Sequence, residues 1–198
     1  MKFVLASNNA NKLRELRELL SGEGIELVSQ REAGCDFSVE ENGASFEENA
    51  YLKAIAVTRA AGLPAVADDS GLMVDALGGA PGIYSARYTG SHEDSDAART
   101  AFLLEKLGDE ANRAARFACA LCCTFPNGDV LRACGECPGS ILTEPRGGGG
   151  FGYDPVFLPE GLDRSMAELS EAEKNAISHR GRAMRKFVEE LRKYYADK

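Results

Sequence analysis

An α/β fold, with a mixed twisted central sheet flanked by helices, is what this sequence predicts, on three observations. Strand-like and helix-like segments alternate through the first half of the chain. A hairpin signal, Asn127-Gly128, then sits between two β-rich runs. Finally, 198 residues with 44% hydrophobic and 27% charged side chains suit a folded core. A compact chain of this length has a radius of gyration of roughly 16 Å and needs no disulfide or structural metal. One domain spanning residues 1–198 is expected.

The elements follow in order. Lys2–Ala6 is a short apolar strand, Ser7–Asn11 a polar loop, and Lys12–Ser21 a helix striped by Leu13, Leu16 and Leu20, stopped by Gly22 and Gly24. Ile25–Ser29 is a second strand, followed by an irregular acidic segment through Gly43. Ser45-Phe46-Glu47-Glu48 is a capping box opening a helix to about Ala61. Ala65–Ala67 is a buried strand ending at Asp68-Asp69-Ser70, and Leu72–Leu77 alternates as another strand. Gly78–Gly82 is a tight loop, Ser95–Leu107 a helix, and Gly147–Gly150 a flexible loop. His92 reads as a loop residue. A second capping box, Ser170-Glu171-Ala172-Glu173, precedes a C-terminal helical region in which Lys174 and Ser178 share one face.

Charge and hydropathy narrow the function. With 31 acidic against 23 basic residues, the net charge of −8 argues against nucleic-acid polymers and anionic membranes as partners. No apolar run reaches the ~20 residues that span a bilayer. The opening apolar stretch is too short for a signal peptide, so a cytoplasmic protein is expected.

Five of six cysteines crowd together: Cys119, Cys122, Cys123, Cys134 and Cys137. The double C-x-x-C invites a zinc-ribbon reading without catalysis. With Asn127-Gly128 as a two-residue turn, however, Phe125 faces Val130 and Leu121 faces Cys134. Strand alternation then puts Cys119, Cys123 and Cys134 on one face and Cys122 and Cys137 on the other. The sulfurs of each pair diverge, and the cysteines are read as small buried core thiols.

Five clusters carry groups suited to phosphate chemistry. Ser7, Asn8, Asn9, Ala10, Asn11 and Lys12 form a polar strand-to-helix turn, whose unpaired N–H groups and positive dipole end favour an anion. The carboxylates of Glu40-Glu41 and Asp68-Asp69-Ser70 suit Mg²⁺, a hard cation taking few protein oxygens. Phe151, Gly152, Tyr153 and Asp154 place two rings where a base can stack. Lys174, Ser178, His179 and Arg180 offer donors to an acceptor-rich ligand.

Together these blocks closely resemble the inosine triphosphate pyrophosphatase family. The match rests on Ser7-x-Asn9-x-x-Lys12, Phe46-x-Glu48-Asn49-Ala50-x-x-Lys53-Ala54 and Ala67-Asp68-Asp69-Ser70-Gly71-Leu72. It continues in Gly78 to Arg87, Gly150-Phe151-Gly152-Tyr153-Asp154-Pro155 and Glu173 to Arg180. Ser7 and Asn8 stand where the family often has Thr and Gly. The resemblance implies two lobes around a nucleotide cleft, and Mg²⁺-dependent cleavage of non-standard purine nucleoside triphosphates to monophosphate and pyrophosphate. It implies Glu41 and Asp69 as metal ligands, with Glu40 the alternative if the segment is offset by one. Asp69 is the implied base, with Asp68 the runner-up. Lys12, Lys53 and the first-turn N–H groups would clamp the triphosphate. Ser70, Phe151–Asp154, Lys174, His179 and Arg180 would meet the rest of the substrate. A homodimer is expected on the same ground. The septum-inhibition (Maf) type of pyrophosphatase, which opens with a similar strand-loop-helix, is the alternative enzyme class.

Overall fold

The computed structural model describes residues 1–91 and 93–196, so His92 lies outside the described residues. Among the described residues six strands form a sheet in the order β2-β1-β3-β4-β5-β6. They are β1 (Lys2–Leu5), β2 (Glu26–Ser29), β3 (Ala65–Val74), β4 (Ala114–Thr124), β5 (Val130–Ile141) and β6 (Phe157–Pro159). β1 pairs parallel with β2, Phe3 against Leu27, and with β3, Leu5 against Val66. β5 and β6 run antiparallel, Ile141 against Phe157, so the sheet is mixed as expected. The helices are α1 (Ala10–Leu19), α2 (Phe46–Ala61), α3 (Asp96–Leu107), α4 (Glu171–Ile177) and α5 (His179–Ala196).

The chain divides into two compact units: Met1–Asp69, Cys119–Gly135 and Arg180–Lys198 in the first, Ser70–Ala118 and Glu136–His179 in the second. In the first, alternation along the strands builds a core on each sheet face. Phe3, Leu5, Val66, Cys119, Leu121 and Cys123 pack with Leu16 of α1, with Leu20 at its C-cap, and with Ala183, Met184, Phe187 and Leu191 of α5. Val4, Ala6, Ala65, Ala67, Ala120 and Cys122 pack with Ala50, Ala54 and Val57 of α2. Strands covered on both faces are near-continuous apolar runs, which is why β1 shows no polar alternation. The second unit has its own core, where Leu72, Val74, Phe117, Ile141 and Phe157 meet Leu103 and Leu107 of α3.

Several expectations are corrected. β3 does not end at Asp68-Asp69 but runs on to Val74, and Asp75–Leu77 is a 3-10 turn rather than strand. Two carboxylates inside a strand read as a terminator, yet cations from distant segments neutralise them there. The hairpin turn is Phe125-Pro126-Asn127-Gly128, with Gly128 N–H donating to Phe125 O at 3.0 Å and Phe125 N–H to Asp129 O at 3.0 Å. Pro126 presets the first central position and Gly128, at φ +92°, takes the left-handed position after it. The loop is therefore three residues, and Phe125 opposes Asp129 rather than Val130. This shift reverses the face assigned to β5: Ala133 joins the α1/α5 core, whereas Cys134 is exposed with its Sγ 3.6 Å from Glu47 Oε1 of α2. Cys119 and Cys122 lie in different cores, as their alternation requires.

Ser45 caps α2 by accepting from Glu48 N–H, but Glu48 reaches back to Ala44 N–H at 2.7 Å, one residue beyond a reciprocal box. The Ser170–Glu173 box forms as read. The exposed Gly147–Gly150 loop runs close to neighbouring backbone at Gly147, where a Cβ would lie 2.7 Å from Ala167 backbone atoms. The C-terminal helical region breaks at Ser178, whose ψ of 156° separates α4 from α5. Lys174 and Ser178 thus do not share a helix face.

Candidate active site

β3 presents Asp68 and Asp69 to opposite faces of the sheet, and the two environments differ. Asp68, fully buried, points to the α1/α5 side. Arg180 Nη2 lies 3.0 Å and its Nε 3.1 Å from Oδ2, while Lys12 Nζ lies 2.5 Å from Oδ1. Cys119 Sγ is 3.4 Å from the same Oδ2, and Arg180 Nη1 is 2.5 Å from Glu15 Oε2. Burial pushes the Asp68 carboxyl up, but Arg180 and Lys12 outweigh it and hold it well below the usual carboxylate range. Burial, then the Asp68 charge, pushes the Cys119 thiol well up, so it is a neutral donor.

Asp69 points to the α2 side. Lys53 Nζ lies 2.9 Å from Asp69 Oδ1, 2.9 Å from Glu41 Oε1 and 3.0 Å from the main-chain oxygen of Asp68. Asp69 Oδ2 is buried with no hydrogen-bond partner among the described residues. Burial raises the Asp69 pKa; Lys53 opposes this, and the like charge of Glu41 adds to it. Lys53 itself titrates above its ordinary value, because Asp69 and Glu41 outweigh its desolvation. Of the two adjacent glutamates, Glu41 reaches the cluster, whereas Glu40 is exposed.

Glu15, Glu41, Asp68 and Asp69 thus meet Lys12, Lys53 and Arg180 in a largely buried setting. Two neighbouring carboxylates with one buried, unpartnered oxygen fit a hard divalent cation that keeps waters and phosphates as its other ligands. Among the described residues, no group of three or more His, Cys, Asp or Glu side chains is disposed to hold a metal by itself.

The strand-to-helix turn borders Asp68 through Lys12. Asn9 is the N-cap of α1, its Oδ1 accepting from Asn11 N–H and Lys12 N–H, and Ser7 Oγ accepts from Asn9 N–H. Asn8 and Ala10 are exposed. Two first-turn donors are therefore held by the cap.

In the second unit, Asp154 Oδ2 accepts from Lys174 Nζ at 2.8 Å and from Phe151 N–H at 2.9 Å. Lys174 Nζ lies 4.5 Å from the centre of the Phe151 ring, a cation–π contact. Gly152 N–H donates to Asp96 Oδ2 and Tyr153 OH to Ser85 O, so this loop is anchored at both residues. His179 stacks on Phe117, centroids 4.8 Å apart. Ser70, in β3, is half-buried.

The sequence reading missed Glu15, Cys119 and Asp96 as neighbours of these groups. The signal for Glu15 was faint but present: it falls three residues after Lys12, on the same helix face, among the leucines of an otherwise apolar stripe. Arg180, expected to meet the substrate, has its guanidinium on Asp68 and Glu15.

Known proteins match this chain over almost its whole length. A model of the Ham1 family matches residues 3–190. A Streptomyces avermitilis protein named dITP/XTP pyrophosphatase is 51% identical over 195 residues, covering 96% of this chain and 97% of that protein. One of the same name from Gloeobacter violaceus is 51% identical over 189 residues, covering 95% and 93%. The Staphylococcus aureus Ham1 protein structure superposes with a TM-score of 0.88 at 40% identity, covering 98% of this chain and 100% of that one. With its fold, its ordered motifs and nearly its full length matched, this chain belongs to the Ham1 family.

Proposed function

We propose that the protein hydrolyses non-standard purine nucleoside triphosphates, inosine (ribo or deoxy) and xanthosine triphosphate, to the monophosphate and pyrophosphate. Relatives about half identical carry the name dITP/XTP pyrophosphatase. The observation that carries the reading is the buried cluster of Asp69, Glu41 and Lys53 beside Lys12 and Asp68.

In this reading Glu41 and Asp69 hold Mg²⁺, which when bound offsets phosphate charge and acidifies water. Asp69 takes the proton of the water that attacks the α-phosphorus. The bond from that phosphorus to the bridging oxygen breaks, and pyrophosphate leaves with the electron pair. Lys12 and Lys53, already held by carboxylates, offset charge as it builds on the phosphoryl oxygens. Arg180, itself paired with Glu15, keeps Asp68 ionised and fixed, so that Lys12 is aimed rather than mobile. Ser7, Asn9 and Asn11 shape the phosphate turn.

The 6-oxo group of hypoxanthine and xanthine accepts where adenine has an amino donor. Lys174, held by Asp154 over the Phe151 ring, and His179 are donors suited to an oxo group, and an aromatic face suits a purine. A site that requires such a hydrogen bond discriminates by about 10⁴–10⁵. No helix among the described residues is long and apolar enough to cross a membrane. A cytoplasmic location and a homodimer complete the proposed reading.

Two measurements test it. A panel of inosine, xanthosine, thymidine and uridine triphosphates, with Mg²⁺ and pyrophosphate detection, is expected to show turnover confined to the two purines. Preference for the pyrimidines would instead favour the Maf class. Asp69→Asn is expected to abolish turnover with the fold intact by circular dichroism; wild-type turnover in that variant overturns the assignment.

A further inference from the structure

Glu41 lies in a stretch, residues 31–45, with no helix or strand to hold it, yet its carboxylate meets Lys53 at 2.9 Å. A short clasp to α2 fixes this stretch. Gly43 N–H donates to Asn49 Oδ1 at 2.9 Å, Ala44 N–H donates to Glu48 Oε2 at 2.7 Å, and Asn49 N–H donates to Ser45 O at 3.1 Å. Asn49 and Lys53 stand four residues apart on α2 and are both buried, so one helix face holds the Gly43 amide and meets the Glu41 carboxylate.

Two details show how closely the clasp is fitted. A Cβ on Gly43 would lie 2.7 Å from Glu48 Cβ and 2.8 Å from Asn49 Oδ1, so only glycine lets the segment approach. Asn49 is fully buried, and its Nδ2 has no hydrogen-bond partner among the described residues. A buried amide donor without an acceptor is destabilising, and an apolar residue of similar volume would avoid that. What an apolar residue lacks is the oxygen that takes the Gly43 N–H.

We propose that Asn49 is a positioning residue for the metal-binding carboxylate, its side-chain oxygen fixing Gly43 and thereby holding Glu41 in place for the divalent cation. The proposal rests on the reading above that Glu41 and Asp69 hold Mg²⁺. Partners behind a metal ligand typically change affinity 10–100-fold when removed.

The test is Mn²⁺ binding to the nucleotide-free full chain, followed by the electron paramagnetic resonance of the unbound ion, with half-saturating Mg²⁺ in turnover as the second readout. Asn49→Ala is expected to weaken Mn²⁺ binding about tenfold and raise half-saturating Mg²⁺ in step. Gly43→Ala should act in the same direction, and carries the test if Asn49→Ala does not fold. In a Glu41→Gln background, Asn49→Ala should cause no further loss. Unchanged metal affinity in folded Asn49→Ala and Gly43→Ala, or equal losses with and without Glu41, overturns the proposal. If Glu41→Gln alone binds Mn²⁺ like the parent, the ligand assignment itself fails, and the clasp's purpose with it.

Discussion

Asp68 and Asp69 are chemically identical neighbours pushed in opposite directions. One is drawn down by Arg180 and Lys12; the other is raised by burial beside Glu41. Strand alternation alone separates them, since adjacent side chains leave a strand on opposite faces. The pair was legible in the sequence as a site, but the division of labour was not. It depends on Glu15, Lys12 and Arg180 arriving on two helices far apart in the chain. Truncating Arg180 removes the guanidinium that pairs with both Glu15 and Asp68. Arg180→Ala is therefore expected to lower unfolding stability by about 3–5 kcal/mol, read from the urea midpoint. Arg180→Lys should recover part of this, since it keeps the charge but loses the fork geometry.

Local rules carried far among the elements. Asn9, Ser45, Ser95 and Ser170 all cap helices, and each is a residue type that competes for backbone N–H groups. They failed where two rules competed. Asn127-Gly128 alone signals a two-residue hairpin, but Pro126 in front of it supplies a better first turn position, and the register moved by one. Likewise Ser178 broke a helix that looked continuous, because extended backbone there starts α5 anew. The α4 cap gives a pH-dependent prediction. Glu173 is held at about 2, first by Arg164 and then by the Ser170 amide and hydroxyl, against an ordinary value of 4.5. A depressed carboxylate contributes stability above its unfolded pKa, and that contribution is lost as pH falls toward the folded value. The melting-temperature gap between parent and Glu173→Gln is thus expected to be present at pH 7 and to shrink steadily below pH 4.5. The gap should be small throughout, as the group is solvent-exposed.

At the scale of the whole molecule, the fold class was legible because alternation of strands and helices sets it, whereas the division into two units was not visible as any linker. The boundaries between the units fall inside β3, β4 and β5 and in the first turn of α5, so composition does not change where they lie. The distribution of sulfur has a practical consequence. Cys35, Cys119, Cys122, Cys123 and Cys137 are buried, and Cys134 alone is exposed. Desolvation also drives the thiols of Cys119 and Cys123 up and lifts Cys122 to about 11, which starves them of thiolate. An aromatic disulfide reagent should consequently report one fast equivalent per native chain, absent in Cys134→Ser. Five more should appear only as the structure opens, making the chain its own stopwatch for unfolding.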